Sequence, residues 1–200
     1  LASKAWLGGA MAIKEDTSAT FRTASASNLL IVGQQDETTT CMLSSVLQSL
    51  DKQFPKGDAT FYLLDGTPQD QPHASILQDT VHSMSISPTL VGVRDVEGEM
   101  ATLYAELQKR LSDGVSDSPT VFLCINALHR FRDMRRNEDD YGFSTGDEEK
   151  QKTPAQVLAE LLKEGPTLDM HVIVSTDTLS NLNRAFDRQL HEIWSVRVGE

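Results

Sequence analysis

The sequence predicts an α/β fold built on a mostly parallel central sheet with helices on both faces. Short, continuous apolar segments alternate along the chain with amphipathic segments of helical periodicity. This alternation is typical of a sheet whose strands are joined by crossover helices. The 200 residues, 39% of them hydrophobic, are enough to bury one sizeable core. We therefore expect a single domain over 1–200.

Each element is predicted from its own local pattern. Thr120–Asn126 is the strongest strand prediction, because the segment is continuous, apolar and rich in β-branched residues. A helix is predicted over 38–53, where Val46 and Leu50 recur on one face, and Pro55 ends it. We expect a lead-in strand or hairpin within 12–21 and further strands at 28–32, 59–64, 88–93, 169–175 and 193–198. The remaining predicted helices are 74–84, 97–111, 154–163 and 179–189.

Composition argues against several classes of function. The net charge of −11 and the pI near 4.8 are unfavourable for a surface that binds phosphate backbones. No apolar run approaches the roughly 20 residues that span a bilayer, so we expect no membrane insertion by this domain. Cys41 and Cys124 are predicted to be inert core thiols in a reducing compartment. The five histidines show no ligand spacing with them, so no metal site is predicted.

The segment Asn28–Thr40 has the layout of a nucleotide-binding P-loop without its working residues. A P-loop follows a buried strand and has the form G-x-x-x-x-G-K-[ST]. Aligned on Gly33, the pattern places Thr38 at the second glycine, Thr39 at the lysine and Thr40 at the metal-binding hydroxyl. Because the loop also carries Asp36 and Glu37, we expect it to repel a triphosphate.

A simpler interpretation of the same loop stays open. In it, Thr38, Thr39 and Thr40 form an N-cap cluster, while Asp36 and Glu37 stabilise the helix dipole. Residual binding of a nucleotide or another anion through backbone N–H groups is the competing interpretation. No cofactor is expected, and ATP with Mg²⁺ is expected only if this degenerate site still binds.

Read in order, the elements resemble the motor domain of the FtsK/SpoIIIE and HerA-like P-loop ATPases. The similarity lies in a lead-in like 6–13, a strand ending in Asp65, and a late segment, Gly165–His171, which resembles the family's Gly-x-x-x-x-His with one more intervening residue. An apolar strand and a polar position follow it. The resemblance covers nearly the whole chain and implies a three-layer RecA-like P-loop NTPase fold. It also implies a homo-hexameric ring for the full protein.

The resemblance also shows what this chain lacks. Where the family has an Asp-Glu pair that holds Mg²⁺ and activates water, this sequence has Asn126 and Ala127. The P-loop and this Walker B position are therefore degenerate together, and we expect a pseudo-ATPase. For Asn126 the simpler interpretation is a strand-end residue that bonds nearby backbone.

The chain has one basic cluster, and its role is left open. It comprises Arg130, Arg132, Arg135 and Arg136, and the acidic segment 137–153, predicted to be a mobile insert, follows it. The cluster contacts a DNA backbone, serves a neighbouring subunit's nucleotide, or pairs locally with 138–140. A sparser set, Arg184, Arg188 and Arg197, has the same alternatives of an in trans role or plain surface charge.

These observations lead to three alternative functions. The first is a structural or regulatory domain of a larger bacterial, cytoplasmic DNA-translocase motor, with DNA contacted by the full ring rather than by this chain alone. The second is an inactive terminal ATPase domain of a type VII secretion motor that binds a protein export signal. The third is an active ATPase with an altered P-loop. The chain begins at Leu1, so we expect a fragment of a longer polypeptide whose other domains are its partners, with a membrane tether through missing regions left open.

Overall fold

A computed structural model describes residues 2–8, 17–115, 117–135, 152–185, 194 and 196–198. The strands are β1 (Ser3–Gly8), β2 (Thr17–Phe21), β3 (Leu29–Val32), β4 (Ala59–Asp65), β5 (Thr89–Val91), β6 (Thr120–Asn126), β7 (Met170–Thr176) and β8 (Val196–Val198). The helices are α1 (Asp36–Asp51), α2 (Ser75–Ser83), α3 (Val96–Asp113), α4 (Pro154–Glu164) and α5 (Leu179–Ala185), with 3₁₀ turns at Leu128–Arg130, Arg132–Met134 and Gly165–Leu168.

The main sheet has six strands in the order β5-β4-β6-β7-β3-β8, and every neighbouring pair is parallel. Two buried apolar clusters lie on its two faces. One includes residues of α3 and α4, and the other includes residues of α1, α2 and the hairpin. The predicted three-layer α/β fold with a parallel central sheet is therefore confirmed.

The lead-in is an antiparallel hairpin of β1 and β2. The prediction of 12–21 included β2 but missed β1, and residues 9–16 lie outside the described part. The outer edge of β1 is covered by side chains at the end of α1, which satisfy backbone groups that an exposed edge leaves open. Lys4 N donates to Gln53 Oε1 at 2.9 Å and Trp6 N donates to Ser49 Oγ at 3.2 Å.

A buried arginine joins the α3 and α4 face to the amino-terminal edge of the sheet. Arg110 is only 2% exposed. Its guanidinium pairs with Glu106 at 2.7 Å and donates to the carbonyl oxygens of Pro119 at 2.8 Å and Leu168 at 3.0 Å. Because a guanidinium in the interior needs such partners, these contacts fix α3 against the starts of β6 and β7.

Several local predictions need correction. Cys124 is buried as predicted, but Cys41 is exposed, because it lies on the outer face of α1. Helix α1 begins at Asp36 rather than at 38. The predicted helix 179–189 is described as far as Ala185, and most of the predicted insert 137–153 lies outside the described residues. Among the helices that are described, none is both long and apolar enough to cross a membrane.

Candidate functional site

The P-loop remnant and the Walker B position meet at the carboxyl edge of the parallel sheet. Gly33 follows β3, while Asp65 and Asn126 end the paired strands β4 and β6 and lie opposite each other in register. Thr176 ends β7, and its carbonyl accepts the Gly33 N–H at 3.0 Å. Parallel α/β sheets bind ligands at this edge, so the sequence motifs do converge on the expected place.

The loop after β3 is too short to form a phosphate cradle. Only Gln34 and Gln35 separate Gly33 from α1, and the Thr39 N–H already donates to the Gln35 carbonyl at 3.1 Å. A Cβ at Gly33 would lie 2.9 Å from Thr39 Cγ2, so the helix occupies the space over the glycine. Since a P-loop binds phosphates with loop N–H groups that point into open space, this geometry does not supply that cradle.

The threonines of the loop bond within their own turn. Thr39 Oγ1 donates to the Asp36 carbonyl at 3.0 Å, and Thr38 Oγ1 donates to Gln35 Oε1 at 3.1 Å. The N-cap residue is Gln35, which makes no side-chain cap bond, so the predicted threonine N-cap cluster is wrong. Asp36 and Glu37 do lie in the first turn, where negative charge stabilises the helix dipole.

Asn126 is the centre of a buried hydrogen-bond network. Its side chain is almost fully buried, with the residue 1% exposed. Its Nδ2 lies within hydrogen-bonding distance of three oxygens: Thr67 Oγ1 at 2.9 Å, Asp65 Oδ1 at 3.0 Å and Thr40 Oγ1 at 3.3 Å. These partners belong to β4, the following loop and α1, so the interpretation that Asn126 bonds nearby backbone is wrong.

The orientation of the Asn126 amide follows from its other partner. Ser175 Oγ accepts the Ala127 N–H at 2.8 Å and therefore donates its own proton to Asn126 Oδ1 at 2.7 Å. Asp65 accepts from both the N–H and the hydroxyl of Thr67. The amide oxygen thus faces a donor and the amide nitrogen faces acceptors, so both polar atoms of the Asn126 side chain are paired.

The donor set explains why this centre is unsuited to a metal ion. In P-loop NTPases the P-loop hydroxyl and the Walker B carboxylate both bind Mg²⁺. Here the equivalent pair, Thr40 and Asn126, is joined directly, with an N–H donor directed at the oxygens that would act as ligands. Among the described residues no group of three or more His, Cys, Asp or Glu side chains is arranged to hold a metal. These residues do not fit Mg²⁺, because a donor N–H and a cation exclude each other.

Ala127, which the family resemblance aligns with the catalytic glutamate, has a left-handed backbone conformation with φ 57°. Its side chain has no acid or base function. Gly66 packs closely beside it: a Cβ there would lie 2.9 Å from the Asn126 carbonyl and 3.1 Å from that of Ala127. The backbone just after β4 therefore contacts the backbone at the end of β6 directly.

The basic cluster makes contacts that none of the three alternatives included. Arg130 Nη2 pairs with Asp36 Oδ2 at 2.8 Å, across the mouth of the loop, and Arg135 donates to the His129 carbonyl at 2.9 Å. Arg132 is exposed. Arg136, the acidic run 138–140 and Arg188 lie outside the described residues, as do the side chains of Arg184 and Arg197, so their predicted roles stay predictions.

A second polar group lies beside the loop mouth at Asp177, which follows β7. The Asp177 N–H donates to His129 Nδ1 at 3.4 Å, and Asn181 Nδ2 donates to both carboxylate oxygens at 2.8 Å. Burial lowers the pKa of His129, although Asp177 opposes this effect. Thr178 caps α5 by accepting the Asn181 N–H at 3.2 Å. Asp177 thus positions the start of α5 rather than facing a ligand.

Neither Thr67 nor Ser175 was predicted from the sequence as a member of the site. The sequence gives a weak indication of both residues, since each is a polar residue at or just after the carboxyl end of an apolar strand. Partners at sequence separations such as 59 and 49 residues from Asn126 follow only from the strand order.

Comparisons with known proteins give structural neighbours only. No protein-family model and no curated protein matches the sequence. The structure is similar to that of Thermomonospora curvata EccC, ATPases 2 and 3, in complex with a signal sequence peptide, with a TM-score of 0.63, 14% identity, and coverage of 98% of this chain and 36% of that chain.

Two EssC structures are also similar. The cytoplasmic domain of EssC gives a TM-score of 0.57 at 18% identity, covering 96% of this chain and 33% of that one. EssC ATPases 2 and 3 from Geobacillus thermodenitrificans give 0.61 at 10% identity, covering 98% and 36%. This chain spans about a third of the length of these structures. At such identities the likeness establishes the fold, which is the one expected from the FtsK/SpoIIIE resemblance. The chain therefore has the RecA-like P-loop ATPase fold of the EccC and EssC ATPase domains.

Proposed function

We propose that this chain is a domain of a type VII secretion motor that has lost nucleotide chemistry and acts through protein contacts. The observation that carries the proposal is the Asn126 network, in which an amide N–H group takes the place of the metal ion. The same edge lacks the P-loop lysine and the acidic pair, so both halves of an ATPase site are absent together.

Charge makes ATP binding still less favourable. A triphosphate at this edge would meet the carboxylates of Asp36, Glu37 and Asp65 without the P-loop lysine. Arg130, whose guanidinium reaches the first turn of α1, is already paired with Asp36. Loss of the lysine and of the metal removes stabilisation of several kcal/mol from both the bound state and the transition state.

A secretion motor accounts for these observations better than a DNA translocase does. The net charge of −11 is unfavourable for DNA, and the structural neighbours described above are EccC and EssC. One of these neighbours, EccC, holds a signal sequence peptide. In this proposal the partners are the other domains of the same polypeptide, a hexameric ring of full-length subunits and a protein export signal, on the cytoplasmic side of a bacterial membrane.

Isothermal titration of the chain with ATP and Mg²⁺ is the first test. We expect no heat of binding at nucleotide concentrations up to about 1 mM. A Kd of about 1 mM corresponds to a binding free energy of about −4 kcal/mol. Micromolar binding would contradict the proposal and favour the active ATPase. Thr39→Lys, which restores the loop cation alone, is expected to leave binding absent because the two residues between Gly33 and α1 remain too few to form the cradle.

A second titration separates secretion from DNA transport. A fluorescent helical export-signal peptide and a fluorescent DNA duplex are each titrated with the chain by anisotropy in about 150 mM salt, where surface charges are screened beyond about 8 Å. We expect binding of the peptide and none of the duplex. Duplex binding with no peptide binding would support the DNA-translocase interpretation instead.

A further inference from the structure

A cavity of about 450 Å³ lies at the opposite, amino-terminal edge of the sheet. Its wall includes residues from β2, the segment after α1, and the starts of β6 and β7. The residues that matter here are Phe21, Phe54, Asp58, Thr120, Asp169 and His171. This cavity shares no lining residue with the Asn126 network.

The cavity carries negative charge. Asp58 is exposed at the rim, and no donor among the described residues bonds its carboxylate. Asp169 is held as an anion, because the His171 ring and the Thr120 and Thr23 hydroxyls lower its pKa to about 2, against the opposing effect of burial. Even a fully protonated His171 would leave the two carboxylates in excess by one charge.

No Lys or Arg is found among the described residues that line the cavity. Lys4 is next to the lining residue Ser3, but on a strand its side chain points to the other face. Its Nζ lies 4.4 Å from the centroid of the Trp6 ring instead. Lys4 therefore does not compensate the negative charge of the cavity.

Aromatic rings form the inner part of the same cavity. His171 is 2% exposed and stacks on Phe122, with ring centroids 5.6 Å apart, while Phe21 lies 5.3 Å from the His171 ring. His171 Nδ1 donates to the Ser27 carbonyl at 2.8 Å, so its other nitrogen faces Asp169, at 3.5 Å. The imidazole is fixed and Phe21 is only 1% exposed, so the half-buried Phe54 is the ring that remains available on the cavity wall.

From this combination we infer that the cavity binds an arginine side chain carried by a segment of a partner protein. A guanidinium is planar, stacks on aromatic faces and bonds carboxylates through two N–H groups at once. An ammonium would fit the charge but would gain less from the Phe54 ring. Because Asp58 is at the open rim, the side chain can enter while its backbone stays outside. The chain's net negative charge favours approach of such a segment.

The test uses the blocked peptide acetyl-Gly-Arg-Gly-amide and its Gln counterpart, each titrated into the ¹⁵N-labelled chain by NMR. We expect the Arg peptide to shift the backbone amide resonances of Thr120 and His171, with a Kd of about 1 mM. The Kd of the Gln peptide is expected to be at least tenfold higher. Equal shifts with both peptides, or no shift at these amides, would overturn the inference.

Two variants and one small molecule complete the test. Asp58→Asn is expected to weaken the Arg peptide about fivefold, and Asp70→Asn, an exposed carboxylate remote from the cavity in the loop after β4, is expected to leave its affinity unchanged. Equal affinity in both variants would contradict the inference. Methylguanidinium, which carries the same cationic group without a backbone, is expected to compete with the Arg peptide, and a lack of competition would overturn the inference. None of these outcomes depends on whether the domain binds ATP.

Discussion

Asn126→Asp most directly tests whether the Asn126 amide N–H group takes the place of a metal ion among the surrounding oxygens. It replaces a donor with a carboxylate oxygen at the position of Nδ2, 3.0 Å from Asp65 Oδ1. Two unit charges at that distance repel by about 5 kcal/mol at an effective dielectric constant near 20. The new carboxyl group avoids this repulsion by taking up a proton.

The cost of that proton depends on pH in a calculable way. Holding a carboxyl group of ordinary pKa near 3.9 in its neutral form costs about 5 kcal/mol at pH 7.5 and about 1.5 kcal/mol at pH 5. We therefore expect Asn126→Asp to lower the free energy of unfolding by about 3–5 kcal/mol at pH 7.5, with most of the loss recovered near pH 5. Urea denaturation followed by circular dichroism at both pH values measures this difference.

A divalent cation provides the second readout. In the variant, two carboxylates and the hydroxyls of Thr40 and Thr67 form an oxygen ligand set suited to Mg²⁺ or Mn²⁺. A metal concentration ten times the Kd is expected to raise the free energy of unfolding of the variant by about 1.4 kcal/mol. The wild-type domain is expected not to respond to the metal, because its Asn126 N–H group faces the same oxygens.

The chain offers a matched control at the surface. Asn181 Nδ2 also donates to an aspartate, Asp177, at 2.8 Å, but the Asp177 side chain is 28% exposed. Asn181→Asp is expected to cost less than about 1 kcal/mol, because solvent screens the pair. If Asn126→Asp behaves like this control, with no dependence on pH or metal, the reasoning about the buried network is wrong.

Three further predictions concern stability, each measured by chemical denaturation. Arg110→Met should cost about 3 kcal/mol, because it leaves buried carbonyls without a donor, whereas Arg94→Met at the surface should change stability by less than about 0.5 kcal/mol; equal effects would contradict the buried role. Gly66→Ala should cost about 1–3 kcal/mol through its clash with two carbonyl oxygens, while Gly98→Ala, with open space around it in α3, should stabilise by about 0.5–1 kcal/mol; a stabilising Gly66 variant would exclude that clash. Asp169→Asn should cost about 1–2 kcal/mol at neutral pH, and because the folded pKa of about 2 lies below the unfolded value, the difference from wild type should disappear as pH falls from about 4 to 2; a difference that stays constant would show that the charge of Asp169 is not the cause.

Much of the sheet could be predicted from the sequence because its strands are buried on both faces. All residues of Thr120–Asn126 and Met170–Thr176 are buried. A strand buried on both faces has a nearly continuous apolar sequence, which can be recognised without the structure. Strand β1 was missed although its signal exists. In Ser3–Gly8 the buried residues Ser3, Ala5 and Leu7 alternate with the exposed Lys4 and Trp6, which is the period of a half-buried strand.

The candidate site was only partly predictable. The order of motifs identified the edge at which Gly33 and Asn126 meet, because parallel strands bring their carboxyl ends together. The partners of Asn126 depend on which strands are neighbours and on the side-chain rotamers there, neither of which is recorded in local sequence. The start of α1 was misplaced because Thr38–Thr40 have the composition of an N-cap, while the helix in fact extends back to Asp36.

The network around Asn126 joins the carboxyl ends of β4, β6 and β7 to the first two turns of α1. In a nucleotide-driven motor these are the parts that must shift relative to one another as a phosphate is bound, cleaved and released. Here they are connected by direct side-chain bonds. In the proposed secretion motor, such a domain would transmit force generated by other domains without a power stroke of its own.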